Sequence, residues 1–121
     1  MTTLSPDRRS RVFRHDLTSD VAELIIESDD GEERLDRLGL SGRAIIREHY
    51  SIAGDDPLSA RARYDWTIHL RRDDWRIRIE ARTAMSATAT EFIVELDLAA
   101  FEADQPVFAQ RWDRRIPRDL V

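Results

Sequence analysis

Proton transfer near neutral pH would fall to three histidines in this chain of 121 residues, His15, His49 and His69. Each sits in a different strand-like run, on that run's polar parity. A zinc site needs three or four converging ligands, and neither His-x-Glu nor His-Glu-x-x-His spacing occurs. A solvated sheet position is the plainer reading of all three. His69 or His49 beside a carboxylate stands as the weakest, enzymatic alternative. Asp65 with Glu80, or Glu95 with Asp97, would serve as a general acid and base if adjacent strands brought them together. Arg63, Arg78 and Arg82 flank these acids, so cross-strand ion pairs worth about 0.2–1 kcal/mol each account for them without catalysis.

Nucleophiles are scarcer still. No Gly-x-Ser-x-Gly pentapeptide places a serine on a strained elbow, and Gly39-Leu40-Ser41-Gly42 reads as a turn between strands. The absence of cysteine removes thiolate catalysis, disulfides, iron–sulfur clusters and Cys-ligated zinc. No catalytic, cofactor-binding or metal-ligating residue is therefore assigned, and the chain alone is expected not to be an enzyme. Two binding surfaces remain. Arg61, Arg63, Arg76 and Arg78, with Arg71 and Arg82, share one face of two neighbouring runs and form a candidate anion or docking face. Tyr64, Trp66, Ile79 and Leu96 fall on the opposite, dry parity and form a candidate apolar pocket or core. Trp75 and Trp112 lie on that same parity.

The elements that carry these residues repeat with period 2. Ala60, Ala62, Tyr64, Trp66, Ile68 and Leu70 alternate with Arg61, Arg63, Asp65, Thr67 and His69. Trp75, Ile77, Ile79, Ala81, Thr83 and Met85 then alternate with Arg76, Arg78, Glu80 and Arg82. An even loop over 71–74 would face Leu70 with Trp75, Ile68 with Ile77 and Trp66 with Ile79, bringing both apolar sets to one side. Further strands are predicted over Arg11–Asp16, Val21–Glu27, Glu33–Leu38, Arg43–Ile52, Phe92–Ala100 and Phe108–Ile116. No segment keeps an apolar helical period for three turns. The fold class is thus all-β: an antiparallel β-sandwich, jelly-roll-like, or a partly closed curled sheet. Residues 1–10 are expected as a disordered tail or linker and 11–121 as one domain.

Charge narrows the partners. Twenty-four acidic against 19 basic residues give a net −5, the wrong sign for holding a phosphate backbone, and no apolar run is long enough for a membrane helix. Neither nucleic acid nor membrane is an expected partner. The first 14 residues carry no apolar leader segment, which sets the expectation of a cytoplasmic protein.

A family resemblance adds to this. Asp56-Pro57-Leu58-Ser59-Ala60, Trp66, Asp74-Trp75-Arg76 with Thr83 and Met85, Phe101-Glu102-Ala103-Asp104, Val107-Phe108, Trp112-Asp113 and Ile116 to Val121 resemble, in order and spacing, the C-terminal region of the cocaine-esterase and X-Pro dipeptidyl-peptidase-like hydrolases. The match spans about residues 11–121. It implies a β-sandwich of jelly-roll type that packs against an α/β-hydrolase domain, in the same chain or another. The family's Ser, Asp and His belong to that hydrolase domain, and no position here matches their motifs. The chain then reads as a fragment, or as a stand-alone protein that kept the accessory domain and lost the catalyst. Its expected role is a non-catalytic structural or interaction module; the alternative is a curled sheet binding a small apolar ligand. A module without its neighbour should keep an apolar patch, so a homodimer is expected, through the shorter N-terminal strands and the Phe108–Ile116 region.

Overall fold

The alternation of dry and wet residues produces nine strands and, among the described residues, no helix. They are β1 (Thr2–Thr3), β2 (Arg8–Asp16), β3 (Val21–Asp29), β4 (Glu33–Leu35), β5 (Leu40–Ala53), β6 (Asp56–Arg72), β7 (Trp75–Ala87), β8 (Glu91–Glu102) and β9 (Gln105–Pro117). The structure is a computed structural model and describes residues 1–119; the end of the matched tail, Leu120 and Val121, lies outside them. All strands pair antiparallel in one open sheet. Its main order is β2-β3-β5-β6-β7-β8-β9, and from β5 onward it is a plain meander. β5 serves two neighbours on one edge: β3 pairs with Ile45–Ala53 and β4 with Leu40–Gly42.

The all-β antiparallel class is as expected, and every strand belongs to one layer. The first ten residues are a correction. Thr2 and Thr3 pair with Arg34 and Glu33, and β2 already begins at Arg8. The backbone N–H of Leu4 donates to the carbonyl of Glu32 at 2.7 Å, and the Glu32 N–H donates to the Ser5 hydroxyl at 2.9 Å. This strap crosses the chain at Gly31, which has φ +72° and no room for a side chain: a Cβ there would lie 2.4 Å from the Ser5 carbonyl oxygen. A two-residue strand has no measurable period, which is why alternation in the sequence does not reveal it.

The β6–β7 hairpin also differs from the expected register, by two residues. Leu70 faces Ile77, Ile68 faces Ile79 and Trp66 faces Ala81, so the loop is only Asp73-Asp74, with Asp73 at φ +52°. Apolar parity cannot distinguish these registers, because a two-residue slip returns every side chain to the same face. Charge can. The wider loop would oppose Asp65 to Glu80 and Arg63 to Arg82, whereas the observed register opposes Asp65 to Arg82 and Arg63 to Ala84. Like charges directly across strands are destabilising; the tight loop removes both of these pairs and leaves one, Arg71 across from Arg76, so the polar face favours it.

Candidate functional site

The registers divide the sheet into two unlike faces. On one, the rows run across six or seven strands and are dominated by apolar side chains. One row carries Arg11, Ile26, Glu48, Tyr64, Thr83, Leu96 and Trp112; the next carries Arg9, Ser28, Ile46, Trp66, Ala81, Leu98 and Gln110. All three tryptophans lie on this face. Tyr64, Trp66, Ile79 and Leu96 are therefore brought to one side of three adjacent strands, as their parity required. They are not enclosed. Among the described residues no hydrophobic side chain is buried, and Trp66 keeps 40% and Trp75 43% of its surface accessible.

The magnitude of this exposure is informative. A self-contained folded chain of 14.1 kDa exposes about 6,700 Å² by the scaling for monomers. This one exposes 8885 Å², roughly 2,000 Å² more. A hollow of about 440 Å³ lies on the apolar face among Phe13, Leu24, Tyr50, Ile52, Met85 and Phe92. None of Tyr64, Trp66, Ile79 and Leu96 lines it.

The other face is a lattice of paired charges. One row reads Glu27, Arg47, Asp65, Arg82, Asp97, Arg111 from β3 to β9, alternating in sign at every strand. Arg82 reaches Asp65 at 3.2 Å, Arg47 reaches Glu27 at 3.5 Å, and Arg111 lies within 4 Å of Glu95, Asp97 and Asp113. The carboxylates around Arg111, Asp113 foremost, raise its pKa. Asp65 also takes Arg63 at 3.1 Å, and Arg78 is held by Glu80 and Asp104. The proposed arginine group is thus split. Arg61 and Arg63 sit near the Ser51 end of the β6–β7 pair and Arg76 and Arg78 near its loop, and acids occupy Arg63 and Arg78.

The carboxylate pairs are likewise accounted for. Glu80 faces Thr67 across the strands and Asp65 belongs to arginines, while Glu95 and Asp97 follow each other on β8 beside Arg111. His49 is 3.0 Å from Glu23 and His15 is 2.8 Å from Asp20. His69 stands across from Arg43 and Arg78. Among the described residues no hydroxyl is hydrogen-bonded to any of these rings. At the corner under the N-terminal strap, Arg43 grips Asp29 with two guanidinium donors, and the Gly31 N–H adds a third bond. Arg43 foremost, then Gly31, holds the Asp29 carboxyl down to about 2.

One residue breaks the apolar face from within. Glu48 shares its row with Ile26 and Tyr64 and accepts a hydrogen bond from the Tyr50 hydroxyl at 2.9 Å. That bond, more than burial, raises the Tyr50 pKa. Sequence alternation already contained this signal, since Glu48 sits on the parity of Ala44, Ile46 and Tyr50. It was legible only as a blemish in a strand, because parity alone does not say whether a strand's dry face is covered.

No family model, curated protein or solved structure matches this chain. The two faces themselves are what a functional reading has to work from.

Proposed function

We propose that this chain is a non-catalytic interaction module that contributes one layer of a two-layer β-structure. The single observation that carries the reading is the bare apolar face: nine strands without, among the described residues, one buried hydrophobic side chain. A sheet wet on both sides leaves its apolar area without the gain of about 25 cal/mol per Å² removed from water, which a covered face adds toward offsetting the conformational entropy of ordering the chain. The charged face needs no cover, because its ion pairs are already made within the sheet. The resemblance to the C-terminal domain of the cocaine-esterase and X-Pro dipeptidyl-peptidase-like hydrolases supports the same role, as that domain lies against a second body of protein.

Trp66, Trp75 and Trp112 all report on the covered face. Their fluorescence in the isolated chain is expected to be blue-shifted and shielded from aqueous quenchers under conditions where the chain associates, and to become solvent-like on dilution. Tryptophans that stay shielded in a strictly monomeric chain would overturn the reading. A panel of esters and peptides should show no turnover that tracks with point variants of His49 or His69. The second reading, a site for a small apolar ligand, is favoured by the hollow of about 440 Å³ near Phe13 and Phe92. It requires a saturable response to aliphatic or aromatic probes that Phe92→Ala weakens.

A further inference from the structure

We infer that the layer covering the apolar face is a second copy of this chain, stacked face to face, with Glu48 of each copy paired to Arg114 of the other. The inference rests on the interaction reading above and names its partner.

The area fits this occupant. Each chain exposes roughly 2,000 Å² more than a self-contained protein of its mass, so two copies closing on each other would bury about 4,000 Å² in all. Obligate two-chain interfaces bury about 2,000–5,000 Å². The same face on both copies makes an isologous contact, which closes on itself and leaves no open end for fibre growth.

Charge fixes the register. Between β3 and β8, Glu48 is the one carboxylate set in the interior of the apolar face, with Ile26 and Tyr64 on either side and, among the described residues, only the Tyr50 hydroxyl as donor. Covering that face without supplying a cation would strand an unpaired carboxylate in a dry layer. On the same face β9 carries Arg114, whose only hydrogen bond among the described residues is to the neighbouring Asp113 carbonyl, with no ion pair. Glu48 lies on the strand two places from β7 on one side and Arg114 on the strand two places away on the other. A two-fold axis in the mid-plane, running along β7, therefore lays β5 over the partner's β9. Glu48 shares its row with Trp112, and Arg114 lies one pair further along, within reach of a long side chain across sheets about 10 Å apart. Arg11, at the β2 edge of the same row, also has no ion pair among the described residues. An axis that brought it onto Glu48 would leave the four strands β6 to β9 uncovered, with all three tryptophans, whereas the axis along β7 leaves only β2 and β3 of the main order.

Charge exchange in the 121-residue chain tests this, read by sedimentation equilibrium over a hundredfold concentration range. The wild type is expected to be dimeric. Glu48→Arg and Arg114→Glu should each raise the dissociation constant at least tenfold, and the double exchange should restore most of the loss. Arg82→Glu, on the charged face, should leave association unchanged. Should a single variant fail to fold, the double exchange still gives the readout. A wild type that keeps 14.1 kDa with solvent-like tryptophans would overturn the second copy as occupant while leaving the interaction reading intact for another partner, such as an α/β-hydrolase domain. A dimer whose double exchange shows no rescue would overturn the Glu48–Arg114 register.

Discussion

The charged face and the apolar face of this sheet are built from alternate residues of the same strands, yet only one is finished. Across the charged face every strand answers its neighbour with the opposite sign, from Glu27 to Arg111, and the ion pairs lie within the chain. Across the apolar face the residues lie side by side in rows, but no second layer from the described residues lies above them. Lateral neighbours remove part of a side chain's surface from water; only a second layer removes the rest. The difference teaches which face belongs to solvent. A ladder of exposed pairs contributes a few tenths to about 1 kcal/mol per pair and sets register, while the stabilising area waits on the other side.

The largest expected effect tests that asymmetry directly. Trp66→Ala on the apolar face should cost about 3 kcal/mol in denaturant unfolding if, as proposed, the side chain sits at the centre of a surface that a second layer covers. A loss below about 0.5 kcal/mol would make this face an ordinary surface, and the two faces would then be equivalent. Arg82→Glu should cost about 1 kcal/mol, since it sets three acids in a row between Asp65 and Asp97. High salt should remove most of that penalty and none of the Trp66 effect.

Acid should discriminate next between the face ladder and the corner beneath the N-terminal strap. The Asp29 carboxyl is held down to about 2 by Arg43 and Gly31, below its ordinary value near 4. Its contribution is complete above about pH 5 and is lost as the pH falls toward about 2. Asp29→Asn should cost about 1 kcal/mol at neutral pH and flatten the acid limb of the stability profile. An unchanged acid limb would place the acid-sensitive contact elsewhere.

Much of this was legible in the sequence. Period 2 gave the long strands from Val21 onward to within a few residues, and parity assigned Trp66, Ile79 and Leu96 to one face and Arg63 and Arg78 to the other. Three features escaped for separate physical reasons. Thr2–Thr3 is too short to have a period. The β6–β7 register is degenerate under apolar parity and needed the charge at Asp65 and Arg82 to choose it. The extent of the open face, beyond the patch expected at the N-terminal strands and Phe108–Ile116, escaped because alternation says which residues avoid water, not what covers them. A strand of a sandwich and a strand of a half-sandwich read alike.

The smallest expected effect lies where neither face is touched. The β8–β9 turn places Ala103 at φ +46° and Asp104 at φ +70°, both in the left-handed region, between the paired residues Glu102 and Gln105. Two successive positive φ values mark the hairpin geometry whose twist suits the flanking strands, and Asn is favoured at its first central position. Ala103 pays for its Cβ there, and its N–H is already committed to the Arg76 carbonyl at 3.0 Å. Ala103→Asn keeps that donor, leaves Asp104 free to hold Arg78, and relieves part of the strain. It should stabilise the fold by about 0.5–1 kcal/mol with no change in dissociation constant. Thermal unfolding paired with sedimentation gives the check. A gain in stability that also tightened association would show that this turn, and not the apolar face alone, contributes to the contact between layers.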